Sequence, residues 1–176
     1  MDLNGYNVTH MASPVGELTL VASDLGLRSV TWPNERPGRV APAPGPVSNH
    51  SHPVLEIAQR QLSEYFAGER TEFDVPLDLV GTPFQRAAWL SLATIPYGET
   101  VSYGEQARRL GRPKAARAVG AANGRNPISI ILPCHRVVAS SGALTGFAGG
   151  LDVKRMLLEH ERVSLYDVVD RTQLPT

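Results

Sequence analysis

The hydrophobic pattern of the chain changes period at Gly81-Thr82-Pro83, and that change narrows the folds open to it more than any other feature. Before it the apolar residues mostly alternate. Glu17–Ala22 and Leu27–Trp32 read as strands on either side of Ser23-Asp24-Leu25-Gly26, a hairpin connection. Phe73, Val75, Leu77 and Leu79 alternate with polar or proline positions, as in an extended edge segment. One helix interrupts this region, because Val54, Ile57, Ala58, Leu62, Tyr65 and Phe66 recur at helical spacing and Gly68 follows as a stop. Pro33–Pro46 holds five of the 14 prolines together with Gly38 and Gly45, which excludes helix and central strand and leaves an exposed loop. After the boundary the pattern is mainly helical, with Thr82 as N-cap and Pro83 as first residue of a helix running to about Ala93. The pattern therefore predicts an α+β chain of two domains. A small α/β domain, with an antiparallel sheet and one helix, spans 1–78. A mainly α-helical domain spans 79–165, followed by a tail at 166–176. No repeats are present.

Composition bounds the function. Hydrophobic residues make up 42% of 176 residues, enough for a core and too much for a disordered chain. The single cysteine excludes an internal disulfide and a multi-thiolate metal site, and suits a reducing compartment. No run approaches the ~18 apolar residues of a membrane span. The first residues are polar and lack a basic leader, so the expectation is a soluble, cytoplasmic protein.

Net charge is zero, with 17 basic and 17 acidic side chains, but the charge is unevenly placed. Residues 1–102 carry 6 basic and 11 acidic groups. Residues 103–136 carry Arg108, Arg109, Arg112, Lys114, Arg117, Arg125 and Arg136 against Glu105 alone. Such a block is either a polyanion-binding face or a solvated helix surface. Within it, Ser102 reads as the N-cap of a short helix closed by Leu110-Gly111, and Pro113 opens a second helix to about Asn123 with Gly124 as its stop. The pair has the dimensions of a helix-turn-helix. The second helix contains five alanines and Gly120, with Arg117 as the one long polar side chain in its middle. A helix that reads base edges normally offers several Asn, Gln or Arg side chains. This one either packs through its alanines or approaches DNA closely without reading sequence, its single arm free to enter a gap in the base stack.

The segment Asn126-Pro-Ile-Ser-Ile-Ile-Leu-Pro-Cys-His-Arg-Val-Val138 carries the lone thiol. A solitary cysteine is commonly an inert core residue. Here Pro133 bends the chain immediately before Cys134, and His135 and Arg136, which favour a thiolate, follow at once. Asp152–Glu161 reads as a helix led by Leu151 with Val153, Met156 and Leu157 on one stripe. Glu161 shares the face of Leu157 and Leu158. It is either turned inward, where it needs a hydrogen-bonded partner such as His135, or turned to water at a frayed end.

Pro133-Cys134-His135-Arg136-Val137, preceded by Asn126-Pro127, strongly resembles the signature of the O6-alkylguanine-DNA alkyltransferases. The similarity extends through Phe84-Gln85, Trp89, Ile95-Pro-Tyr-Gly-Glu-Thr100, Ser102-Tyr103, Lys114-Ala-Ala-Arg-Ala-Val-Gly120, Gly149-Gly150, Leu157-Leu158 and Glu161, covering about residues 82–162. The resemblance implies a ribonuclease H-like N-terminal domain and a winged helix-turn-helix-like C-terminal domain. It implies DNA repair by direct reversal: irreversible, single-turnover transfer of an alkyl group from O6-alkylguanine, and from O4-alkylthymine, to Cys134 after base flipping. Cys134 would be the nucleophile, His135 its base through a bridging water, and Glu161 the group orienting His135. Asn126 would hold the turn and Tyr103 would help guanine leave. Arg117, Lys114, Ala116, Ala118, Gly120 and Ser102 would meet duplex DNA in the minor groove without sequence preference, Arg117 filling the vacated place. Val137, Phe147, Ala148 and Ser140 would line the base pocket. The resemblance implies no cofactor or metal, no membrane, and a monomer, with cooperative loading on DNA left open.

The sequence departs from the commoner family pattern at three places. Phe147 stands where many members have tyrosine, Ser129 where some have proline, and Ala148 where serine or glycine is usual. Two other classes compete. A helix-turn-helix regulator with a redox-sensing cysteine predicts sequence-specific binding, against which the alanine-rich helix argues. A cysteine hydrolase predicts turnover and an oxyanion hole, for which the sequence carries no signal.

Overall fold

In the computed structural model, which describes residues 5–162, the chain forms two compact units. One comprises the chain up to Val80 together with Pro127–Ile131. The other comprises Gly81–Asn126 and the chain from Leu132 onward. The expected tail at 166–176, like 163–165, lies outside the described residues.

The first unit is a sheet covered by one helix. Strands β1 (Tyr6–Met11), β2 (Leu18–Ser23) and β3 (Gly26–Thr31) form an antiparallel meander, and β4 (Val47–Ser48) adds beside β1 in parallel, giving the order β3-β2-β1-β4. The sheet is thus mixed, not purely antiparallel. Strand β1 escaped the sequence reading because its residues are mostly half-buried and show no apolar alternation. The β2–β3 hairpin is as expected, with Ser23 paired to Gly26. Gly26 is required there: its φ is +156°, and a Cβ would stand 2.7 Å from the Pro76 carbonyl oxygen. That crowding arises because the chain at 76–78 runs along β3, with Leu27 N–H donating to Pro76 O (2.8 Å) and Asp78 N–H to Leu27 O (2.8 Å). Further along the same strand, Val30 N–H donates to Pro127 O (2.8 Å) and Val30 bridges Ile128. Helix α1 (Pro53–Phe66) starts at His52, whose ring accepts from Val54 N–H, and packs against the three long strands. It buries Leu55, Ala58, Leu62 and Tyr65, while the sheet buries Leu18, Leu20, Ala22, Leu27 and Val30. Each fully buried leucine contributes roughly 1.5–3 kcal/mol of transfer free energy.

The second unit is helical. Helix α2 (Pro83–Leu92) opens with a full capping box, Gln85 N–H to Thr82 Oγ1 (3.1 Å) and Thr82 N–H to Gln85 Oε1 (3.0 Å). Strand β5 (Val101–Ser102) leads into α3 (Tyr103–Arg109), capped by the Ser102 hydroxyl. The α3 C-terminus closes in a Schellman arrangement around Gly111 (φ +71°), with Arg112 N–H to Ala107 O and Gly111 N–H to Arg108 O, both 2.9 Å. Helix α4 is Ala116–Gly124 and begins three residues later than the sequence suggested. Ala115 N–H donates to Arg112 O (2.9 Å), so Pro113-Lys114 forms the corner of a β-turn, where proline is equally at home. Gly124 lies inside the helix and Arg125 is its C-cap. Strand β6 (Val137–Val138) pairs in parallel with β5.

Helix α5 (Leu151–His160) buries Lys154, Leu157 and Leu158, a face rotated from the expected stripe. Leu151 and Met156 are 44% and 43% exposed. Buried polar bonds lock the helices. Trp89 Nε1 donates to Ala122 O (2.7 Å), and the Gln106 and Asn123 amides bond reciprocally (3.1 and 2.8 Å). Among the described residues no helix is long and apolar enough to cross a membrane.

Candidate active site

The nucleophile sits at the end of a sharply folded segment. Ile130 has φ +73°, and Ile131 N–H donates to Ser129 O (2.9 Å), a γ-turn of the rarer hand at a β-branched residue. Such strain costs about 1–3 kcal/mol and persists only where surroundings enforce it. A second γ-turn, of the common hand, follows at Pro133 (φ −83°, ψ 69°), closed by Cys134 N–H to Leu132 O (2.9 Å). The same carbonyl accepts Asn126 Nδ2–H (2.7 Å), so the Asn126 side chain clips the segment shut two residues before the thiol. A single 3-10 turn, Cys134–Arg136, then delivers Cys134 at 9% exposure and His135 fully buried.

Glu161, the C-cap residue of α5, is 2% exposed and turned inward. Its Oε1 lies 2.7 Å from His135 Nε2. The guanidinium of Arg136 straddles the same carboxylate, Nε to Oε2 at 2.8 Å and Nη2 to Oε1 at 3.0 Å, and its Nη1 donates to Ile95 O (2.6 Å). Burial alone would raise the Glu161 carboxyl, but the bonds and charges of His135 and Arg136 outweigh it and hold the group at about 2. Burial lowers His135 from the ordinary imidazole value, and the nearby Arg136 and Lys154 charges act in the same sense. The imidazole is therefore neutral. An ionised carboxylate only accepts, so Nε2 carries the hydrogen and Nδ1 presents its lone pair. Among the described residues, Nδ1 has no hydrogen-bond partner. A neutral imidazole with a free basic nitrogen, in a turn shared with a thiol, is equipped to take a proton from that thiol.

A second cluster adjoins the first. The Tyr103 hydroxyl donates to Thr145 O (3.3 Å), and a Cβ on Gly120 would be in ordinary contact with the Tyr103 ring at 3.7 Å. Lys154 Nζ donates to the same Thr145 carbonyl (3.0 Å) and to Val137 O (2.7 Å), and lies 5.9 Å from the centre of the Phe147 ring. Lys154 thus ties Tyr103 and Val137 together through two backbone carbonyls, with the Phe147 ring beside its ammonium. Phe147 and Ala148 are half-buried, and Ser140 is exposed in the turn 139–143. On α4, Arg117 and Ala118 face solvent, while Ala116 and Gly120 are half-buried. Lys114 is exposed in the preceding turn, and the Ser102 hydroxyl is engaged by Glu105 N–H (3.1 Å).

Two features escaped the sequence reading. Arg136 belongs to the basic block by sequence but is 5% exposed and paired to Glu161. Lys154 does carry a signal in the sequence, since it lies three and four residues before Leu157 and Leu158 and so shares their inward face. Among the described residues, no group of three or more His, Cys, Asp or Glu side chains stands close enough to hold a metal ion.

Comparisons with known proteins agree across the chain. The model of the 6-O-methylguanine DNA methyltransferase DNA-binding domain matches residues 83–163, and that of the ribonuclease-like domain of the same family matches 7–79. A methylated-DNA–protein-cysteine methyltransferase of Mycobacterium bovis is 53% identical over 157 residues, covering 85% of this chain and 88% of its own. One of Methanosarcina acetivorans is 48% identical over 149 residues, covering 85% and 94%. The crystal structure of Mycobacterium tuberculosis OGT in complex with DNA superposes with a TM-score of 0.79 at 46% identity, over 93% of this chain and 98% of that one.

Proposed function

The chain belongs to the 6-O-methylguanine DNA methyltransferase family, and from that premise we propose that Cys134 accepts, once per molecule, the alkyl group of O6-alkylguanine or O4-alkylthymine in duplex DNA. Methyl transfer from methylated DNA to a protein cysteine is the activity its relatives are named for. The observation that carries the reading is the neutral His135, fixed by Glu161 through Nε2 and left with Nδ1 open.

The chemistry follows from these groups. Nδ1 takes the Cys134 proton through one bridging water, and Glu161 stabilises the imidazolium that forms. The thiolate attacks the alkyl carbon in a single displacement. The sulfur–carbon bond forms as the carbon–O6 bond breaks, and its electron pair stays on guanine. Guanine takes up one proton as it leaves, with the Tyr103 hydroxyl as donor, and the proton held by His135 returns through solvent to restore the tyrosine. The product thioether does not leave sulfur under these conditions, so the protein is both transferase and acceptor. No metal or cofactor takes part in this sequence.

Reaching O6 inside a duplex requires base flipping, at a few kcal/mol, less for a poorly paired damaged base. Helix α4 lies in the minor groove in this reading, its small residues against the sugars and Lys114 on a phosphate, while Arg117 takes the place of the flipped base. The Asn126 clip keeps the thiol at the mouth of the pocket formed by Val137, Phe147 and Ala148, with Ser140 at its rim. The protein acts as a monomer in the cytoplasm.

Incubation with duplex carrying radiolabelled O6-methylguanine tests the reading. Label is expected on Cys134 at one methyl per protein, and Cys134→Ser is expected to abolish transfer. Continued turnover, or transfer by the serine variant, overturns it.

A further inference from the structure

Lys154 is fully buried, and it is the exception among the buried charges. Arg39 is paired with Glu35, and Arg136 with Glu161. The Lys154 ammonium has two carbonyl acceptors and the face of Phe147, but among the described residues no carboxylate meets it. A buried ion without a counter-ion is strongly disfavoured. Burial accordingly draws Lys154 down to about 8, and the one charge acting in the opposite sense is that of Cys134. Geometry gives the reason. Nζ bonds the carbonyl of Val137, the residue that caps the Cys134–Arg136 turn, and α5 packs directly against that turn.

The other groups around it are already matched. In the 3-10 turn, His135 is neutral and Arg136 is neutralised by Glu161. Glu161, at the end of the lysine's own helix, is engaged with those two. Tyr103, from α3, contributes only its hydroxyl to the shared Thr145 carbonyl. The anion left for Lys154 is the one that appears when Cys134 ionises.

We propose that Lys154 is the counter-ion of the Cys134 thiolate, a positioning residue held by the Val137 and Thr145 carbonyls, and that alkylation of Cys134 strands it as an unpaired buried cation. The proposal rests on Cys134 being the nucleophile. Its consequence is a change in proton affinity: the thioether is neutral, so the spent protein binds the Lys154 proton more weakly than the fresh one does.

The chain contains two lysines, Lys114 and Lys154, and one cysteine, which makes the test direct. Carbon-13 lysine labelling of the intact protein gives two side-chain signals to titrate, with exposed Lys114 as internal control. Cys134 is then S-methylated with iodomethane, without DNA. The Lys154 midpoint is expected to fall by about one pH unit or more, a tenfold loss of proton affinity, while Lys114 stays in place. An unmoved Lys154 midpoint overturns the proposal even if transfer from DNA is intact. A shift in a protein that fails to take methyl from DNA overturns the proposed function instead. In Lys154→Met, the ultraviolet absorbance of the thiolate is expected to titrate at least about one pH unit higher than in wild type. A folded variant with an unchanged thiolate titration also overturns the proposal, and the wild-type measurement decides the matter if the variant does not fold.

Discussion

Glu161 serves three donors with two oxygens: His135 Nε2, Arg136 Nε and Arg136 Nη2. Because its carboxyl is held at about 2 against the opposing effect of burial, its contribution to stability is complete above the ordinary carboxyl range and lost as pH falls through about 2. His135 adds a second slope. Burial lowers it, so the unfolded chain takes the proton first, and stability declines as pH drops below the ordinary histidine range. Glu161→Gln removes the charge that neutralises buried Arg136, and is expected to cost about 3–5 kcal/mol in urea unfolding at pH 7. Transfer should fall with it, since the amide no longer selects the tautomer with Nδ1 open. A loss within the range of a surface pair, below about 1 kcal/mol, refutes this account. At this scale the sequence was informative where a residue's own neighbours mark it, as with the adjacent Cys134 and His135, or with Glu161 on the face of Leu157 and Leu158. It was silent where the partners are backbone carbonyls, as with Lys154, or where the side chain is one arginine among several in a basic run, as with Arg136.

At the scale of elements, α4 divides cleanly. Val119, Ala122 and Asn123 face the interior, while Arg117, Ala118 and Ala121 face solvent. The Trp89–Ala122 bond and the Gln106–Asn123 amide pair fix that division, so the exposed strip is presented by a rigid support. Arg117→Ala should therefore leave attack on free O6-benzylguanine nearly intact and slow repair of duplex by tenfold or more, about 1.4 kcal/mol. Equal loss on both substrates removes Arg117 from the role of filling the stack. Elements with strong local punctuation were legible in sequence: α2 from Thr82-Pro83, the hairpin from Ser23-Asp24-Leu25-Gly26. Strand β1 was not, because its pairing and not its composition makes it a strand. The onset of α4 was misplaced because proline suits both a first helical turn and a β-turn corner, and only the Ala115–Arg112 bond distinguishes them.

For the whole molecule, zero net charge concealed a basic segment, and the structure trims that segment further. Arg136 is buried on Glu161, and Arg108 and Arg109 are paired with Glu105 at 2.7 and 3.3 Å. Arg112, Lys114, Arg117 and Arg125 remain exposed, and among the described residues no carboxylate pairs with them. With Arg117 in the base stack, Arg112, Lys114 and Arg125 are left for phosphates, and if they meet them the logarithm of duplex affinity should fall against the logarithm of salt with a slope of about −3. Fluorescence anisotropy across a salt series measures it, and a flat response excludes the basic face as the DNA contact. The pairing of β3 with Pro127 and Ile128 has a consequence of another kind, in the order of synthesis. Chains emerge from the ribosome N-terminus first, and domains generally fold in that order. Here the first unit has to wait, since its last members, Pro127–Ile131, are made about fifty residues after Val80. By then the segments that will form α2, α3 and α4 have already been made. The nascent chain thus completes its older half only as it reaches the threshold of Cys134, and a truncation anywhere before that point leaves both halves unfinished.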